Sequence, residues 1–147
     1  MKNLTASTMI LTVAALTFGV STVLAQGASK MKAEIPFAFH VGSQEYAAGK
    51  YETSVVASNT GILILSITNK DTGVSQMAMS PMTGLPKNDA ERAAAPRLVF
   101  RCQNTGCALI QLWRADTGTA LVFNAPATKR GEPTRLTVVN LRPVAAD

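Results

Sequence analysis

Few side chains in this sequence combine reactive chemistry with a useful spacing. The two cysteines, Cys102 and Cys107, lie in FRCQNTGCAL and are the only ones in the chain. A tetrahedral zinc site needs about four ligands. One histidine and two cysteines fall short of that set. Thiol redox motifs usually place two residues between their cysteines, and four stand between these. The spacing reads as a structural disulfide.

His40 is the single histidine. A serine hydrolase triad would have to use it. No G-x-S-x-G elbow or other nucleophile motif accompanies it, so it reads as a surface histidine. Glu45 and Glu52 are the acids that could be proposed as a glycosidase pair, but they flank a turn and read as solvated charges. No glycine-rich spacing opens a helical pattern, which argues against a phosphate loop. The six methionines include MAMSPM, and thioethers are soft enough for copper(I). Met77 and Met79 share a strand face, which reads as core packing. The expectation is therefore no catalytic residue, no metal site and no cofactor.

The elements that position these residues follow an N-terminal segment, MKNLTASTMILTVAALTFGVSTVLAQGASK. A basic start, an apolar run from Met9 to Leu24 and small residues at Val23 and Ala25 read as a secretory signal over 1–25, cleaved between Ala25 and Gln26. No cysteine follows that junction, so a lipoprotein anchor is not expected. A polar arm is expected over 26–32 and one β-domain over 33–147, a length able to bury a core. No second long apolar segment argues for membrane insertion after cleavage.

Beyond the signal the dominant period is two, the mark of strands. In AEIPFAFHV, Ala33, Ile35, Phe37, Phe39 and Val41 share a face. Pro36 cannot donate to a ladder, which places this strand at an edge or starts it nearby. ILILSIT is apolar on both faces and reads as a central strand. Residues 80–97 break the pattern with Pro81, Pro86 and Pro96. They read as a long loop holding at most one helical turn, capped by Asn88 or Asp89. The count is about eight strands, the signature of an antiparallel β-sandwich or a partly open barrel.

RLVFRC and CALIQLW flank QNTG, a turn with Asn104 and Gly106. Opposed Cβ atoms across a hairpin come near disulfide separation, and the short ring contributes on the order of 2 kcal/mol. With 102 opposite 107, strict alternation puts Leu98, Phe100, Leu109, Gln111 and Trp113 on the core face. Arg97, Val99, Arg101, Ile110, Leu112 and Arg114 fall on the other face, along with Ala108. That second face is either covered by another segment or a contact surface.

Residues 26–90 balance five lysines against five acids, whereas 91–147 carry eight basic against four acidic residues. The asymmetry reads first as the solvated face of a modestly basic secreted protein, and otherwise as a surface for an anionic envelope component or another envelope protein. Nucleic acid is not expected, because no basic cluster is interleaved with aromatics.

IPFAFHVGSQEYAAGKYETSV resembles the opening of a family of small secreted β-proteins common in acidobacteria, with its Pro-Phe-x-Phe-x-Val-Gly run and Ala-Gly-x-Tyr turn. PRLVFRCQNTGCALIQLW looks like the family's second landmark, a Leu-Val-Phe strand, a tight turn and a Leu-x-x-x-Trp strand. Ala47 stands where the family usually has proline, and the cysteine pair replaces aromatic and charged residues. The resemblance implies export and a compact β-domain, and it transfers no active site. The expected function is an exported, non-enzymatic binding or adaptor domain of the periplasm or cell exterior. The alternatives are a structural subunit joined through edge strands and a hydrolase centred on His40.

Overall fold

The structure, a computed structural model, describes residues 29–128 and 130–145. The expected signal segment, the Ala25–Gln26 junction and the first residues of the arm lie outside the described residues. Two sheets pack face to face as an all-β sandwich. The first sheet has five antiparallel strands in the order β12 (Arg142–Pro143), β1 (Met31–Ile35), β4 (Gly49–Ala57), β5 (Leu63–Asn69) and β6 (Ser75–Met79). The second runs β11 (Arg135–Asn140), β8 (Arg97–Gln103), β9 (Gly106–Arg114), β10 (Thr119–Val122) and β7 (Met82–Gly84). Beyond the end of β10, β9 also pairs in parallel with β2 (Phe39–Val41), which carries β3 (Gln44–Tyr46) on its far side.

The described chain thus holds twelve strands, more than the eight expected, because two expected strands change sheets midway and two short strands, β3 and β7, form in segments expected as a turn and a loop. AEIPFAFHV is the clearest case. Its first half pairs with β4 in one sheet and its second half with β9 in the other. The break falls at Pro36, whose missing N–H and fixed φ end the first ladder. Pro36 therefore marks a crossover, and β1 lies between β4 and β12 instead of at an edge. The expected arm is also shorter, since Met31 and Lys32 already pair with Thr53 and Glu52.

The loop expected over 80–97 contains β7 and the single turn α1 (Asp89–Arg92). Asn88 is the cap: its Oδ1 accepts from Glu91 N at 2.8 Å, and Glu91 Oε2 accepts from Lys87 N at 2.7 Å. At the corner leading into β7, buried Ser80 donates to Met82 O at 2.7 Å and lies 3.0 Å from Val122 O, tying β6–β7 to β10.

The inter-sheet core joins Ile35, Tyr51, Leu65 and Ile67 of the first sheet to Phe39, Leu98, Phe100, Leu109, Leu112 and Leu121 of the second. Phe39 sits at its centre, edge-on to Phe100 and Tyr51 and stacked on Tyr46 at 5.0 Å. The Ala-Gly-Lys-Tyr turn has a specific geometry. Tyr51 Oη donates to Ala47 O at 2.6 Å and accepts from Asn69 Nδ2 at 3.2 Å. A Cβ at Gly49 would stand 3.1 Å from Asp71 Oδ2, so a larger residue here requires that carboxylate, which accepts from Lys50 N, to shift by a few tenths of an ångström.

Candidate functional site

The disulfide links Cys102 and Cys107, which are opposed in the β8–β9 ladder. Gly106, at φ 129°, closes the turn in a region that L side chains avoid. From the disulfide the register runs as expected for two pairs, Arg101 opposite Ala108 and Phe100 opposite Leu109. Then a bulge intervenes. Val99 pairs with Gln111, Leu98 with Leu112 and Arg97 with Trp113, leaving Ile110 as the extra residue. One inserted residue reverses every later side chain on its strand.

The hairpin face expected from strict alternation is therefore corrected. Arg97, Val99 and Arg101 do point to the outside of the second sheet. Leu112 turns inward and belongs to the inter-sheet core, 3 % exposed. Arg114 turns with it to the open end of the sandwich, where its Nη2 lies 2.9 Å from Asp116 Oδ2 beside Thr53 and Val55 of the first sheet. Gln111 and Trp113 move to the outer face. Trp113 is nonetheless fully buried, because the 85–96 segment crosses over it and its Nε1 donates to Ala94 O at 2.9 Å. The face is thus covered at the Trp113 end and open at the Arg101 end.

Cross-strand pairing assembles that open end. Glu45, His40, Ala108, Arg101 and Leu136 stand in one row across β3, β2, β9, β8 and β11. Arg101 and Gln103 with His40 and Pro126 line a recess of about 270 Å³. Its floor is low because Ala108 and Gly106 have little or no side chain. Arg101 Nη2 donates to Pro126 O at 2.7 Å.

A larger concavity, about 700 Å³, lies on the outer face of the first sheet. Lys32 stands between Glu52 and Arg142, Glu34 faces Lys50, and Lys70 follows β5. Glu52 is bracketed by Lys30 Nζ at 3.3 Å and Lys70 Nζ at 3.4 Å. The Lys30 hydrogen bond is the main cause that holds its carboxyl below the ordinary value; burial opposes it, and the charges of both lysines reinforce it. Both lysines are more than half exposed, so each pair adds little to stability.

The other candidates are dispersed. Glu45 and Glu52 belong to different sheets and opposite outer faces, so they form no carboxylate pair. Met77 and Met79 do not pack in the core; they lie on the outer side of edge strand β6, 72 % and 69 % exposed. Their register explains this, since Ala78 between them faces Leu65 and takes the inward position. Among the described residues no three His, Cys, Asp or Glu side chains gather as a metal site, and no helix is long and apolar enough to cross a membrane.

Sequence reasoning missed the lysine-rich concavity. Lys32 and Arg142 lie at opposite ends of the chain, and only the β1–β12 pairing makes them neighbours. Comparison with known proteins finds no matching family model, no similar curated protein and no similar solved structure.

Proposed function

We propose that this chain is an exported, non-enzymatic binding domain whose contact surface for an anionic envelope component is the outer face of the first sheet. One observation carries the reading. Lys30, Lys32, Lys50, Lys70 and Arg142 gather around a 700 Å³ concavity whose lining acids are Glu34 and Glu52. A concave surface with excess positive charge raises the local concentration of anions. The disulfide fits an oxidising compartment, and the signal-like N-terminus supports export.

The test is co-sedimentation with vesicles containing lipopolysaccharide at rising salt. Binding should weaken as salt screens the exposed cations, with a Debye length of about 8 Å at physiological ionic strength. Lys32→Glu with Arg142→Glu should abolish it, and Arg97→Glu should leave it unchanged. Undiminished binding by the folded double variant rejects the reading.

A second reading, a subunit joined through sheet edges, is favoured by β6. This edge strand, Ser-Gln-Met-Ala-Met, bears no charge and no proline, the devices that normally block edge pairing. Sedimentation equilibrium tests it. A self-associated species that Met77→Lys dissolves supports the reading, and a monomer at every concentration excludes it.

A further inference from the structure

The recess at the open end of the second sheet carries an inference separate from the lysine-rich face. Its polar side chains come from two strands, Arg101 and Gln103 from β8 and His40 from β2, and its wall comes from the segment after β10 that brings Pro126 across the sheet. Neighbouring strands lie roughly 4.8 Å apart, so His40 and Arg101, each one strand from Ala108, flank it with about 10 Å between their backbones. That gap, floored by Ala108 and Gly106, has room for one small polar group.

Two details of the recess concern its hydrogen bonding. Arg101 is held by the Pro126 carbonyl through Nη2, which restrains the guanidinium and leaves further N–H groups of its fork available. Gln103 Nε2 is a buried donor with no partner among the described residues. A buried amide donor left unpaired is costly, so its retention beside a guanidinium is explained if a ligand supplies the acceptor. The nearby acids do not fill this role. Glu45 stands on the far side of His40, across the β2–β3 ladder, and Glu132 accepts from Asn104 N at 3.0 Å at the hairpin turn.

We propose that His40, Arg101 and Gln103 form a binding site for a single oxyanion group, a carboxylate or a phosphate, on a small molecule or chain end. The guanidinium forks the anion, the Gln103 amide donates from the β8 side beside it, and the imidazole closes the His40 side. Fork-type pairing favours planar or tetrahedral oxyanions over chloride.

The single histidine provides a clean probe. Acetate and inorganic phosphate are titrated separately into the full protein at constant ionic strength with chloride, while the His40 ring proton resonances are followed. Saturable shifts with at least one anion are expected. Gln103→Leu, which removes the amide and keeps the bulk, should weaken binding by about tenfold. Arg101→Gln should remove saturation altogether. Saturation by both anions identifies a general oxyanion site, and saturation by one identifies the group. If Arg101→Gln proves unfolded, the Gln103→Leu result decides alone. Lys32→Glu with Arg142→Glu, which disables the face proposed above, should leave the titration unchanged, so the two proposals fail independently. Absence of saturation with both anions, or identical titrations in parent and Gln103→Leu, overturns the site.

Discussion

Tyr51 donates a hydrogen bond from its hydroxyl to the carbonyl of Ala47, four residues upstream, while neighbouring Tyr46 buries its hydroxyl with no partner among the described residues. The two rings lie 6.3 Å apart at one edge of the core, yet their hydroxyls stand in opposite energetic positions. Tyr51→Phe removes two hydrogen bonds and strands the Ala47 carbonyl, and should cost about 1–2 kcal/mol in denaturant unfolding. Tyr46→Phe removes an unsatisfied buried polar atom and should leave stability unchanged or raised by about 1 kcal/mol. Burial first, and the neighbouring Tyr51 second, push the Tyr46 hydroxyl above its ordinary value of 10.0. Because the folded value is raised, the parent should lose stability as pH rises past 10.0, the unfolded value. The Tyr46→Phe variant should lose less over the same range.

The bulge at Ile110 makes Leu112 a core residue. Leu112→Ala should therefore cost about 2–5 kcal/mol. Ile110→Ala, at the half-buried extra residue, should cost less than half as much. Deleting Ile110 would remove the bulge and restore strict alternation with Leu112 still inward and Trp113 still outward, because Ile110 is the residue without a partner. That variant should keep a cooperative thermal transition, and a deletion variant that fails to fold would show that the bulge itself is required.

Trp113 is the only tryptophan, and its Nε1 pins the 85–96 segment through Ala94 O. Trp113→Phe keeps an aromatic ring but releases that carbonyl. Lys87 and Arg92 lie within the segment, so tryptic cleavage there should accelerate several-fold while the sheets stay protected. The parent fluorescence should be blue-shifted, as befits a ring with no exposed surface, and should redden only on global unfolding.

Glu52 should titrate below its ordinary value of 4.5 in a carboxyl NMR titration. Lys30→Met should bring it most of the way back, because the Lys30 hydrogen bond is the largest cause. A depressed folded value contributes stability above the unfolded value, lost as pH falls below 4.5 through the folded one. High salt should shrink the shift, since both lysines are exposed.

How much of this could be read without the structure depended on how local the cause was. Alternation of apolar residues marks strands because successive side chains point to opposite faces, so the all-β class was legible from stretches such as YETSVVA and ILILSIT. The disulfide and its turn were legible too, since two cysteines and Gly106 lie within one hairpin. Asn88 was visible as one of two adjacent cap candidates, with Asp89, because capping is settled within a single helical turn.

Three features depended on tertiary structure. Nothing within CALIQLW marks Ile110 as the residue to be skipped. The bulge satisfies Leu98 opposite Leu112 inside the core and Trp113 under the Ala94 segment together, and those demands come from elsewhere in the chain. The sheet change at Pro36 was likewise hidden, because a proline reports a broken ladder and not which sheet resumes beyond it. The charge distribution along the chain pointed to the C-terminal half, but sheet pairing set Arg142 beside Lys32 and His40 one strand from Ala108. Composition and period are properties of segments, whereas a binding surface belongs to strands that meet only when the sandwich closes.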